Sequence, residues 1–249
     1  MQDLLARAVR REMNGGDTPQ GSWSHRVPMG LMLIEQGRIT PDQLESALRA
    51  QRREAEFGET PRLGEWLLRS GVLSEPALTR ALSAQWNCPV LSLAAFQPSE
   101  TAAVMPSLFS EIFDAVPVWS AGGGRLHLAF AGRLDRSLSY AVERMTGLPV
   151  AAGIARDSEF RRAQEKLLAG QGATVRHLEA ADSWALVRAM TRWIEEARPV
   201  ESRLVRVHDY YWLRIWRRRP GPGPTSREDV EDLTAVVSRG GVPGRRPQG

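Results

Sequence analysis

An internal repeat constrains this chain more than any other feature of its sequence. PMGLMLIEQGRITPDQLESALRAQ (28–51) aligns without a gap on RLGEWLLRSGVLSEPALTRALSAQ (62–85), with eight identities in 24 positions. They are Gly30/Gly64, Leu33/Leu67, Gly37/Gly71, Leu44/Leu78, Ala47/Ala81, Leu48/Leu82, Ala50/Ala84 and Gln51/Gln85. Each copy reads as helix, turn, helix. Gly37 and Gly71 stand where a left-handed residue ends a first short helix, and Thr40 or Ser74 then caps a second. Pro41 falls at the first position of its helix, where a missing N–H costs nothing, and Pro76 falls in the first turn of the other copy.

The start-to-start period is 34 residues, which is also the tetratricopeptide period. Two copies are too few for a solenoid, and the glycine placement differs from that pattern. Downstream the texture alternates between strand and helix. VLSL (90–93) reads as a strand, 100–113 as a helix broken near Pro106, and 115–120 and 125–131 as strands around a glycine turn. Residues 135–147 read as a helix, 148–155 as a strand, and 157–170 as a helix capped by Asp157. A helix over 181–197 and a strand pair within 202–216, turning at His208-Asp209, follow.

The domain organisation expected is therefore 1–25 as an N-terminal helix and linker, 26–93 as the tandem repeat, and 94–170 as a small α/β subdomain. Residues 171–219 form a C-terminal helix and basic aromatic strand segment. Residues 220–249, opening on PGPGP, are expected to be a disordered and dispensable tail with a weak helix at 226–238. The fold class is α+β or α/β: a helical tandem-repeat subdomain, a small mixed α/β subdomain, then a helix and strand pair.

Composition excludes several functions. Lysine plus arginine number 33 against 29 acidic residues, a net charge of +4. Lys166, the only lysine, follows no glycine loop, so no Walker-type phosphate loop is present. A lone Cys88 forms no internal disulfide, and no apolar run has membrane-spanning length. The N-terminus lacks the uninterrupted apolar stretch of a secretory signal. A cytoplasmic protein without membrane insertion is expected.

The second copy of the repeat, followed by WNCPVLSL, resembles the N-terminal domain of type II secretion and type IV pilus assembly ATPases, the GspE N-terminal or MshEN-type domain. Met105-Pro106, Val116-Pro117-Val118, LHLAFAG and MTGLPV continue the likeness over roughly 26–170. The resemblance implies cyclic di-GMP as a ligand. It points to Arg62, Leu63, Gly64, Leu78, Leu82 and Gln85 in the second copy, and to Met29, Gly30, Leu44, Leu48 and Gln51 in the first. Pro28 stands where the first copy's arginine belongs, and proline has neither charge nor donor for a base or phosphate. An arginine restored at 28 is therefore expected to tighten binding.

The residues suggest a physical logic of their own. Leu44/Leu48 and Leu78/Leu82 lie four apart on one helical face, and Gln51 or Gln85 follows on the same stripe. An apolar floor edged by an amide suits a purine. Such leucines are also ordinary helix-packing residues, and both readings stay open.

Other candidates are weaker. Gly122-Gly123-Gly124 suits a hairpin turn better than a phosphate loop. His25, His127, His177 and His208 lack metal-ligand spacing, so no metal is expected. The acidic pairs Glu228-Asp229 and Glu231-Asp232 read as a solvated helix face. No nucleophile sits beside a base, so no enzyme activity and no catalytic residue is expected. Arginines 203, 206, 214 and 217–219 interleave with Tyr210, Tyr211, Trp212 and Trp216, as in single-strand binders. Packing on the preceding helix through Trp184, Leu186 and Trp193, with arginines facing water, is the preferred account. The expected function is a non-catalytic regulatory or docking protein, without cofactor, that partners a secretion or pilus component and binds cyclic di-GMP. The alternatives are a purely structural adaptor of such a system and, third, a nucleic-acid-binding module.

Overall fold

The computed structural model describes residues 7, 9, 27–56, 62–120, 125–170, 172–221 and 225–238. Most of the expected N-terminal helix and linker lies outside them, as do Gly122-Gly123-Gly124 and 239–249. Arg7 and Val9 are helical, and Val9 is buried.

The repeat forms α1 (Met29–Glu35), α2 (Pro41–Glu56), α3 (Leu63–Arg69) and α4 (Glu75–Trp86). Gly37 and Gly71 adopt φ of 63° and 70°, as a left-handed stop requires. Thr40 opens α2 with a reciprocal capping box: its N–H donates to Gln43 Oε1 at 2.8 Å, and Gln43 N–H donates to its hydroxyl at 3.2 Å. Ser74 sits at the equivalent N-cap but makes no side-chain capping bond. Three of the shared pairs, Gly30/Gly64, Leu33/Leu67 and Ala47/Ala81, are buried in both copies. Leu33 and Leu67 are each fully buried, and Ala47 and Ala81 join them with Ile39 and Leu73 in one cluster. A Cβ on Gly30 would lie 2.6 Å from Leu44 Cδ1, and one on Gly64 would lie 3.0 Å from Leu78 Cδ1. These two glycines thus allow the paired helices of each copy to approach closely.

The second subdomain carries a three-stranded sheet, β1 (Ala115–Ser120), β2 (Arg125–Phe130) and β3 (Val150–Ile154) in that spatial order, with β1 antiparallel and β3 parallel to β2. VLSL contributes only an isolated bridge from Val90 to Ile154, instead of the expected strand. The expected helix over 100–113 is reduced to a 3-10 turn at Pro98–Glu100 and α5 (Ser107–Ile112), because Pro106 cannot continue a helix. α6 (Arg136–Thr146) and α7 (Asp157–Ala169) cover the sheet. Alternation along β2 explains the layers: Leu126, Leu128 and Phe130 face the α6 core, and Ala129 faces Phe160, Ala163 and Leu167 of α7. Asp157 is the first helical residue of α7, not its cap; Arg156 occupies the N-cap.

The C-terminal region departs most from expectation. A four-stranded sheet in the order β4-β7-β6-β5 combines β4 (Thr174–Ala180), β5 (Glu201–Val207), β6 (Tyr210–Trp216) and β7 (Val230–Val237). β4 was not anticipated, and β7 replaces the expected disordered tail and its helix at 226–238 as an inner strand, paired on both edges. Residues 230–237 are therefore structural. α8 (Ser183–Ala197) packs on one face against Tyr211, Leu213 and Ile215. Trp212 and Trp216 face the other way, into the core shared with α6 and the first sheet. The aromatics thus divide between two faces, and Trp184 is exposed.

Arg214 does not face water. It is completely buried and forms a two-pronged pair with buried Asp232, Nε to Oδ1 and Nη2 to Oδ2, each at 2.7 Å. Trp212 Nε1 donates to the same carboxylate at 2.8 Å, and Arg214 Nη1 donates to the Val104 carbonyl at 3.2 Å. Packing, rather than an exposed stacking platform, is what Trp212, Arg214 and Trp216 perform. No helix among the described residues is long and apolar enough to cross a membrane.

Candidate functional site

A cavity of about 550 Å³ lies where the second repeat meets the α/β subdomain. This volume falls within the range of small-molecule sites. Arg62, Leu63, Gly64, Leu78, Leu82 and Gln85, all six residues expected from the second copy, line it. Of the first copy only Met29 does. Gly30, Leu44, Leu48 and Gln51 lie outside this lining. Gly30 and Leu44 pack on each other instead, and Leu48 is partly exposed.

The repeat supplies an apolar wall. Leu63, Leu68, Leu78, Leu82 and Trp86 contribute to it, and Phe160 of α7 extends it. Gln85 is set at its edge by a bond from Nε2 to the Val27 carbonyl at 3.3 Å. That bond uses the amide as a donor, so its carbonyl oxygen keeps acceptor capacity. Gln164 is likewise anchored, donating to the Ser110 carbonyl at 2.7 Å.

Polar groups come mostly from the other subdomain. Arg62, the N-cap of α3, reaches across the junction to Asp114, Nη2 to Oδ2 at 3.4 Å. It also lies over Gly132, where an added Cβ would be only 2.7 Å from Arg62 Nη1. On α7, Arg161 Nε donates to Asp157 Oδ2 at 2.8 Å. This hydrogen bond raises the arginine's pKa further above its ordinary value, helped by the charges of Asp157, Asp114 and Glu65 and opposed by partial desolvation. Arg161 is thus permanently cationic. Arg133 and Glu65 complete the charged lining.

Asp114, Gly132, Arg133, Asp157, Arg161 and Gln164 were not anticipated from the sequence. Each is separated from Arg62 by 50 residues or more, so local periodicity carries no sign of their meeting. Among the described residues no cluster of three or more His, Cys, Asp or Glu side chains is arranged to hold a metal.

The fold and site define an α+β module with a helical repeat seated on an α/β subdomain and a mixed polar and apolar cavity at their junction. No family model matches the chain, and no curated protein does. Solved structures do match. The structure of MshE with cdg is similar at 25% identity over 57% of this chain and 99% of that one, with a TM-score of 0.46. The N-terminal domain of XpsE is similar at 24% identity over 59% of this chain and 96% of that one, with a TM-score of 0.42.

Proposed function

We propose that this chain is a non-catalytic regulatory or docking module whose junction cavity binds cyclic di-GMP and whose protein partner belongs to a secretion or pilus system. One observation carries the ligand reading: the six second-copy residues that the MshEN-type resemblance implies all line a single cavity of ligand size. Leu78, Leu82 and Trp86 offer a planar base an apolar surface, Gln85 offers an edge contact, and Arg62 offers a guanidinium for stacking or for a phosphate oxygen. A ligand there touches both subdomains, so its binding stabilises one mutual arrangement. That is the physical basis for regulation of a bound partner.

Calorimetric titration of the full chain with cyclic di-GMP, with GTP as control, tests this. Saturable heat with the cyclic dinucleotide alone is expected, and silence at high micromolar ligand overturns it. A purely structural adaptor is the second reading. The close contacts of Gly30 with Leu44 and of Gly64 with Leu78 favour it, because they give these motif residues a packing role that requires no ligand.

A further inference from the structure

We propose that the loop Ala131-Gly132-Arg133 forms the second wall of the ligand site, with Gly132 seating Arg62 and Arg133 contacting an anionic group of the nucleotide. This inference rests on the ligand reading above and departs from the two-copy symmetry of the repeat motif.

Three observations carry it. First, the cavity is one-sided with respect to the repeat: the whole second-copy set lines it, and Met29 alone represents the first. A ligand held there meets the α/β subdomain where a symmetric arrangement would present Leu44, Leu48 and Gln51. Second, the loop follows directly on β2, whose end at Phe130 is fixed by pairing with both Ala115 and Ile154. The sheet therefore positions the loop firmly. The missing Cβ of Gly132 leaves the space that Arg62 Nη1 occupies, since a methyl group there would stand 2.7 Å away. Arg62 is then held between this backbone and Asp114.

Third, the charges are unequally committed. Arg62 is paired with Asp114, and Arg161 with Asp157. Arg133 lines the same cavity, is exposed, and has no ion pair among the described residues. A guanidinium without a carboxylate partner loses no existing contact when it meets a phosphate. Of the three lining arginines, Arg133 is the one whose binding to an anion requires no exchange of partners.

The test uses the full chain, with cyclic di-GMP and GMP as probes, in calorimetric titrations of six variants whose melting temperatures are also recorded. Arg133→Ala is expected to weaken binding of cyclic di-GMP by about tenfold, with a shallower salt dependence, and Arg133→Lys to recover part of it. Gly132→Ala pushes only the flexible tip of Arg62, so its melting temperature is expected to hold while affinity falls. In an Arg62→Ala background the glycine substitution should have no further effect. Gln51→Ala is expected to bind as the wild type does. Binding that is lost with Gln51→Ala and indifferent to Arg133→Ala overturns the second-wall assignment while leaving the ligand reading intact. A wild-type chain that takes up neither cyclic di-GMP nor GMP overturns the ligand reading and this assignment together.

Discussion

Arg214 and Asp232 face each other directly across the β6–β7 ladder, both wholly buried, and join through two parallel hydrogen bonds of 2.7 Å. Arg214 also lies over the rings of Trp212 and Trp216, at 5.0 and 5.9 Å from their centroids. Removing one partner leaves a charge stranded in a low-dielectric core. Asp232→Ala is therefore expected to lower stability by about 3–5 kcal/mol, read by urea denaturation. Replacing both residues with apolar side chains of similar volume should recover much of that loss. Equal destabilisation by the single and double variants would show that the pair does not act as a unit.

This pair also shows why part of the fold was not legible in the sequence. The repeat was, because Gly37, Thr40 and their counterparts in the second copy are local signals, each acting within three or four residues. β7 was not. Its Glu231-Asp232 step places two acids inside a strand, which reads as solvated until Arg214, 18 residues earlier, is known to lie opposite. The site divides in the same way. Arg62 through Gln85 were visible as a motif, whereas the opposite wall is assembled by tertiary contacts such as that between Arg62 and Asp114.

Docking itself has an identifiable clasp. The Glu75 carboxylate, in the first turn of α4, accepts from Ser158 N–H at 2.6 Å and from its hydroxyl at 2.9 Å. It thereby caps the start of α7, where Arg156 offers no capping side chain. Glu75→Ala is expected to cost about 1–2 kcal/mol, consistent with the loss of a cap and a charge-assisted bond. Hydrogen exchange should rise at the α4–α7 junction while the C-terminal sheet is unaffected. Unchanged protection at Ser158 would show that the clasp contributes nothing to docking.

A pH effect follows from His127. It lies on β2 on the same face as Arg125, and its Nδ1 is buried with no hydrogen-bond partner among the described residues. Desolvation, followed by the charge of Arg125, lowers its pKa below the ordinary 6.5. Below 6.5 the unfolded chain therefore takes up a proton that the folded chain resists. The neutral histidine carries no such penalty above 6.5, and stability falls as pH drops from there through the folded-state value. Denaturation of wild type and His127→Gln across this window should show the acid-side loss reduced in the variant. Parallel pH profiles would assign the loss to other groups.

The two copies are asymmetric at their first position. Pro28 and Arg62 occupy equivalent N-cap positions with matching backbone, φ and ψ of −53° and 136° against −70° and 147°. The sequence alone suggests that an arginine at 28 would complete a symmetric pair and tighten binding. The geometry changes that expectation, because Arg62 lines the junction cavity and Pro28 does not. Arg62→Ala is expected to weaken cyclic di-GMP binding by about tenfold or more, the loss of one charge-assisted contact of about 1.4 kcal/mol or greater. Pro28→Arg is expected to leave affinity within about threefold of wild type, since a difference below roughly 0.7 kcal/mol is all that an exposed cation outside the cavity lining contributes under physiological salt. Paired titrations of the two variants at one ionic strength decide the matter. Tightening by Pro28→Arg comparable to the loss in Arg62→Ala would mean that the first copy does face the ligand, and that the nucleotide spans both repeats rather than the repeat and the α/β loop.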